Sequence, residues 1–300
     1  MPRPPAEPID RTAETLRRRL DTELVRRGLV PSRDRAQGEI SAGRVLVRGV
    51  PATKAARMVD ADDPVTLQGP RPRFVSRGGD KLDAALDRFA LDATGRTALD
   101  AGASTGGFTD CLLQRGAAHV VAVDVGRGQL DMALRADERV TVRERTNIRT
   151  LAPADLGADR PAGGFDLIVA DLAFISLRTV APALLGLAGP GADLVLLVKP
   201  QFEAGRAEAS KEKGVIRDPA VWADALLGVL AAYADLGTET RGLMMSPLRG
   251  AEGNVEFLAH LVAGAPGWAE RPAPAPAGGA TAATLVAEVV ALAAGDRAGT

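Results

Sequence analysis

The stretch TALDAGASTGGFTDCLLQRGA, residues 97–117, decides how this chain is read. An apolar strand-like run enters the loop Asp100-Ala101-Gly102-Ala103-Ser104-Thr105-Gly106-Gly107, and a helix-like run comes after it. Glycines let a backbone turn tightly and approach a ligand closely. The loop lacks the lysine of a phosphate-binding P-loop and the spacing of the usual dinucleotide fingerprint. About 20 residues further on, a second apolar run ends in Asp124 (VVAVDVG), where an acid can accept from ribose hydroxyls. Loop and acid together fit an adapted dinucleotide fold or a fold for S-adenosylmethionine.

The residues beyond Asp124 support the second option. Strands are expected at Thr97–Ala101, Val120–Asp124, Val140–Glu144, Asp166–Asp171 and Leu194–Lys199, with helices at 107–115, 128–136, 178–188 and 219–235. Alternating strands and helices at this spacing predict a parallel, doubly wound sheet. Asp171 (VADLAFISL) closes the fourth strand and Lys199 (LLVKPQFE) the fifth. Carboxyl ends of strands are where open parallel sheets bind ligands. Glu239–Met245 and Val255–Leu258 read as a late strand pair. Residues 265–280 are low-complexity, and a last helix is expected over Ala282–Ala294.

The 300 residues are 46% apolar and 25% charged, which excludes a wholly disordered chain. The most apolar stretch, Val180–Val198, is broken by prolines, glycines and Asp193, so no spanning helix is expected. The start, MPRPPAEPID, has no signal-like apolar core. A single cysteine, Cys111, and two histidines, His119 and His260, leave little for a disulfide or metal site. The expectation is a cytoplasmic, metal-free monomer.

Charge is uneven. Residues 1–81 hold 17 Lys+Arg against 11 Asp+Glu, a surplus of six, and the remainder carries −7. A basic piece on an acidic body points to a polyanion-binding module. Its helix is expected over Thr12–Arg27, with Leu16, Leu20 and Leu24 on one face. A second helix capped by Ser32 buries Ala36 and Ile40, and two short strands come next in RVLVRGVPA and DDPVTL. GPRPR (69–73) reads as a stiff linker. Only five of the 37 basic residues are lysine: Lys54, Lys81, Lys199, Lys211 and Lys213. Lys81, in VSRGGDKL, is expected near a helix start, where the dipole opposes a cation. Lys199 comes directly after LVLLV, so burial disfavours its charged form. A neutral lysine can take a proton, which an always-charged arginine cannot.

Two resemblances organise these features. Arg19-Leu20-Asp21, Arg26-Arg27, Ser32-Arg33 and Gly43-x-Val45-x-Val47-x-Gly49 resemble the ribosomal-protein-S4-like RNA-binding domain, with Arg48 where that family often has Asn. The ordered motifs SRGGDKL, LDAGASTGGFTD, VDVGRGQL, ERTNIR, DLIVADLAFISL, LLVKPQFE, KGVIRDP and GNVEFL resemble the TlyA-type RNA 2′-O-methyltransferases over about residues 11–262. The implied architecture is α/β: a Rossmann-like, S-adenosylmethionine-dependent methyltransferase domain of FtsJ-like type over 76–262, behind a small α+β S4-like domain over 11–68. A linker over 69–75 joins them, and 263–300 form a low-complexity segment and helix.

That resemblance implies a catalytic tetrad of Lys81, Asp171, Lys199 and Glu256. It implies donor contacts from Asp100, Gly102, Ser104, Thr105, Gly106, Asp124 and Asn147, and methylation of a cytidine ribose in ribosomal RNA of one or both subunits. Arg17, Arg19, Arg26, Arg27, Arg33 and Arg44 are the candidate phosphate-binding residues, since the guanidinium fork suits phosphate oxygens. Relatives named hemolysins make a membrane-active protein the rival reading, and a non-catalytic RNA-binding assembly factor is a third.

Overall fold

The computed structural model describes residues 17–30, 33–69, 72–204, 214–250, 252–264 and 281–298. The expected cap Ser32, the helix segment 12–16, the linker residues Pro70 and Arg71, Lys211, Lys213 and the stretch 265–280 lie outside the described residues. The chain divides into two compact units, Met1–Arg71 and Pro72–Thr300.

The smaller unit runs β1 (Arg18–Arg19), α1 (Leu20–Arg26), α2 (Arg33–Ser41), β2 (Val45–Val47), β3 (Val50–Pro51), β4 (Met58–Val59) and β5 (Val65–Leu67). Strand β2 lies between β3 and β5, and β1 pairs with β4. Leu20, Leu24, Ala36, Ile40, Val45, Val47 and Val59 form its core, as the leucine spacing and the alternating hairpin require. The helix expected from Thr12 differs: α1 begins only at Leu20. Arg18 and Arg19 are extended and pair with Val59 and Met58. The first helical amides of α1 donate outward, Leu20 N–H to the Arg57 carbonyl at 2.7 Å and Asp21 N–H to that of Ala55 at 3.1 Å. Tertiary partners thus satisfy donors that a longer helix would have used.

The larger unit contains α3 (Arg77–Arg88), β6 (Thr97–Ala101), α4 (Gly107–Gln114), β7 (His119–Val123), α5 (Met132–Arg135), β8 (Val140–Arg143), α6 (Pro153–Leu156), β9 (Phe165–Ala170), α7 (Leu177–Leu187), β10 (Ala188–Val198), α8 (Pro200–Glu203), α9 (Pro219–Ala234), β11 (Thr238–Met245), β12 (Phe257–Ala263) and α10 (Ala282–Ala298). Seven strands form one sheet in the order β11-β12-β10-β9-β6-β7-β8. All neighbours from β10 to β8 are parallel, and β12 is antiparallel to both β10 and β11.

Successive residues of each central strand enter different cores. Leu99, Val121, Ile168 and Leu196 face one side with α7 and α9; Ala98, Val120, Leu167 and Val195 face the other with α3 and α4. A sheet covered on both faces needs unbroken apolar runs, which is why these strands read as runs rather than alternations. Helix α10 joins the first core through Val286, Val289 and Ala293. Several boundaries differ from expectation, among them β12, which runs Phe257–Ala263 where Val255–Leu258 was expected. The helix expected over 128–136 shrinks to α5 because the Asp131 side chain accepts from Ala133 N–H and starts the helix there. Strand β10 begins at Ala188 instead of Leu194, with a register irregularity between Ala188 and Asp193.

Chain order reverses between β6 and β9, so their carboxyl ends diverge and leave a crevice. The glycine loop leaves β6 and Asp171 leaves β9, which puts both on that crevice.

Candidate active site

Gly102 leaves β6 with φ +88°, and a Cβ there would stand 2.5 Å from the Asp171 carbonyl oxygen. Gly106 caps α4 with φ +96°, and a Cβ there would strike Leu134 and Leu130. Both positions require glycine for conformation and for space. Ser104, between them, also has a positive φ of 48°. The result is a cleft of about 240 Å³ lined by Ser76, Gly102, Ser104, Thr105, Asp171 and Lys199, among others.

Asp124 stands at the end of β7 and organises the cleft rim. Its carboxylate accepts from Ser104 N–H at 2.8 Å and from Gly126 N–H at 2.6 Å. Each oxygen keeps a further lone pair for a hydroxyl donor. Asn147 is exposed beyond β8, where its side chain caps a short turn by accepting from Arg149 N–H. Asp100, expected among the donor contacts, is fully buried on β6. Thr109 donates to one of its oxygens at 2.6 Å, and the other has no partner. Burial pushes its carboxyl up to about 7, against the Thr109 hydrogen bond and with the help of nearby Asp171 and Asp124.

The four candidate catalytic side chains form two ion pairs. Lys199 Nζ lies 2.5 Å from Asp171 Oδ1, and Lys81 Nζ lies 2.5 Å from Glu256 Oε2. Lys81 projects from α3, one turn past its Ser76 cap, and is 8% exposed; Glu256 immediately precedes β12 and is 3% exposed. Strand register links the pairs. Leu197 faces Leu258 and Val198 faces Phe257 across β10 and β12. Lys199 comes directly after Val198 and Glu256 directly before Phe257, so both stand at the end of that ladder, where the parallel strands finish. Each lysine meets its own carboxylate.

Two other residues at this edge were not among the site residues expected from sequence. Phe174 is 92% exposed with φ +64°, and its ring centroid lies 5.3 Å from that of Phe202, over which Lys199 Nζ sits at 5.9 Å. Glu203 is buried and tied to Ser176 and Leu177. Both lie within the motifs DLIVADLAFISL and LLVKPQFE. Their signals were an aromatic with no apolar period to belong to and an acid one turn after the lysine.

In the smaller unit the candidate arginines are paired. Arg19 and Arg33 both bridge the buried Asp21, Arg26 and Arg27 both hold Glu23, Arg44 holds Glu39, and Arg17 reaches Asp60. The Arg26 hydrogen bond, opposed by burial, brings the Glu23 carboxyl down to about 2, and Arg19 chiefly lowers that of Asp21. Arg27 is only 19% exposed and also donates to the Asp60, Ala61 and Asp63 carbonyls, which makes it a strut between α1 and the turn before β5. Arg17, Arg19, Arg26, Arg33 and Arg44 keep between 41% and 62% of their side chains in solvent.

Among the described residues no helix is long and apolar enough to cross a membrane, and no cluster of His, Cys, Asp or Glu could hold a metal ion. Residues 74–263 match the FtsJ-like methyltransferase family and residues 18–65 match the S4 domain. The chain is 51% identical to the 16S/23S rRNA (cytidine-2′-O)-methyltransferase TlyA of Mycobacterium tuberculosis, over 82% of this chain and 90% of that protein. It is 39% identical to Hemolysin A of Brachyspira hyodysenteriae, over 81% of this chain and 99% of that protein. A solved structure of a hemolysin-named protein from Streptococcus thermophilus superposes with a TM-score of 0.70 at 36% identity, covering 95% of this chain and 99% of that one. Two domain matches in chain order, and identity above one half to a curated methyltransferase over most of both chains, lead to one conclusion: the chain belongs to the TlyA family of FtsJ-like methyltransferases, with an S4 domain ahead of its methyltransferase domain.

Proposed function

We propose that this chain transfers the methyl group of S-adenosylmethionine to the ribose 2′-hydroxyl of a cytidine in ribosomal RNA, with Lys81, Asp171, Lys199 and Glu256 as its catalytic residues. The observation that carries the reading is the two lysine–carboxylate pairs at the carboxyl edge of the sheet, one of which, Lys199 with Asp171, lines the cleft that the glycines shape. The cleft suits the donor. Its walls are largely backbone and small side chains at Gly102, Ser104, Thr105 and Gly107, with Gly106 turning the loop into α4, and Asp124 offers acceptors to a ribose diol. Asn147 stands beyond β8 as a further donor contact, and Asp100 supports the loop from behind.

When bound, the donor supplies a methyl group on a positively charged sulfonium, an electrophile that needs no further activation. The residues must then orient the 2′-oxygen and remove its proton. Lys199 in its neutral form accepts that proton, and the ammonium so formed is held by Asp171, which is open enough to pass a proton on to solvent. Glu256, just ahead of β12 and anchored by Lys81, orients the ribose. Phe174 offers an exposed ring on which a base taken out of its stack can rest. The S4 domain, through Arg17, Arg19, Arg26, Arg33 and Arg44, holds RNA phosphates, so ribosomal RNA is the partner and the cytoplasm the place of work.

The test is methyl uptake from labelled S-adenosylmethionine into ribosomal subunits, with the modified ribose then mapped. Lys199→Ala should bind the donor and lose transfer, and Lys199→Arg should also fail although it keeps the charge. Near-wild-type turnover by Lys199→Ala removes the assigned base. RNA binding without methyl uptake by the unaltered chain would favour an assembly factor, and leakage of liposomes a membrane-active protein.

A further inference from the structure

The one-turn helix α8 is preceded by its N-cap Lys199 and ends at Glu203, and both of these charged residues reach the loop after β9. Lys199 holds Asp171, the first residue of that loop. Glu203, 5% exposed, holds the far end: its Oε2 accepts from Ser176 Oγ at 2.5 Å and its Oε1 from Leu177 N–H at 2.7 Å. Arg178 closes the clasp, donating to Glu203 Oε2 at 3.3 Å and to the Glu203 carbonyl at 2.6 Å. Ser176 caps α7, so the clasp also fixes where that helix starts. Between the two fastenings lies Phe174, a non-glycine residue with φ +64°. Left-handed backbone at such a residue is strained and persists only where its surroundings over-determine it. A loop pinned at both ends to a single helical turn is over-determined in that way.

We propose that Glu203 is a positioning residue for methyl transfer, a clasp that locks the loop after β9 to the loop after β10 and so sets Lys199 on Asp171. The proposal rests on the reading of Lys199 and Asp171 as the reacting pair. It assigns Glu203 no contact with donor or RNA. Its loss should lower the rate of the chemical step and leave binding alone, since a misplacement of about 1 Å can cost up to about 100-fold.

The experiment uses the full chain and compares Glu203→Ala, Glu203→Gln, Ser176→Ala, Lys199→Ala, and Asp171→Ala with and without Glu203→Ala. Read out for each are the unfolding midpoint, the Kd for S-adenosylhomocysteine, the KM for ribosomal subunits and the single-turnover methylation rate. Glu203→Ala should slow single turnover about 10-fold to 100-fold, with donor Kd and RNA KM within about twofold. Glu203→Gln should recover part of the rate, because its amide oxygen still accepts from Leu177 N–H. Asp171→Ala with Glu203→Ala should be no slower than Asp171→Ala alone, as for residues acting through one another. Wild-type turnover in Glu203→Ala, or a loss seen only in KM or donor Kd, overturns the clasp. If Glu203→Ala does not fold, Glu203→Gln and Ser176→Ala carry the same criterion. An inactive Lys199→Ala beside fully active Glu203 variants defeats the clasp alone, whereas an active Lys199→Ala defeats the reading of the pair.

Discussion

Replacing Lys81 by methionine removes one half of an ion pair that is almost wholly out of water. Lys81 is 8% and Glu256 3% exposed, and their charged atoms are 2.5 Å apart. Deleting one partner of such a pair strands the other charge in a poor dielectric, which costs about 3–5 kcal/mol. In a unit of this size each kcal/mol lowers the unfolding midpoint by about 2–4 °C, so a fall of roughly 6–20 °C is expected. Removing both charges, as in Lys81→Met with Glu256→Leu, should restore much of the loss, because apolar side chains of similar volume tolerate the site. Trp222 is buried in this unit with its ring 6.1 Å from that of Phe257, the residue after Glu256, and its fluorescence reports unfolding locally. Urea titrations of the wild type, both single variants and the double variant give the coupling energy, which exceeds about 3 kcal/mol if each single variant loses that much and the double loses less than either. All three variants should lack methyl transfer while still binding the donor. Single variants within about 0.5 kcal/mol of wild type, adding without coupling, would refute the claim that the pair is desolvated.

Three further outcomes rest on the same geometry. Gly102→Ala should lose about 1–2 kcal/mol of stability from its positive φ, and methylation should drop because the new Cβ displaces the Asp171 backbone; an unchanged single-turnover rate contradicts this. Asp100, with its carboxyl raised to about 7 by burial, contributes stability that is complete below about pH 4 and lost as pH rises through 7, on the order of 4 kcal/mol. Asp100→Asn lacks that titration, so wild type should weaken relative to it between about pH 4.5 and 8 in urea unfolding, and a constant difference would dismiss the burial effect. Arg26→Ala should weaken RNA binding for all sequences alike and flatten the slope of log Kd against log salt by about 0.7–0.9; an unaltered slope in filter binding takes Arg26 off the RNA surface.

The central sheet was legible because its strands are buried on two faces, and runs such as Leu194–Val198 have no other use in a chain with so few aromatics. The glycine loop was legible because Gly102 and Gly106 are forced by conformation, which leaves a mark on composition. The start of α1 was not, because carbonyls of Ala55 and Arg57, distant in sequence, take the amides that a longer helix would have bonded. The pairing of the lysines was also hidden. It depends on which strand lies beside β10, and no local pattern announces that Phe257 will face Val198. Asp100 looked like a cleft residue by its place in the loop motif. Strand alternation turned it instead toward Thr109 on the opposite face.

Strand β12 runs against its neighbours, so its beginning lies at the edge where the parallel strands end. Glu256 arrives there from a part of the chain made long after Lys81, Asp171 and Lys199. During synthesis the nascent polypeptide can therefore shape most of the sheet, and even the glycine-loop cleft, while the proposed catalytic set still lacks a member. If Glu256 acts as proposed, the chain cannot methylate anything until β12 has been made and has joined the sheet.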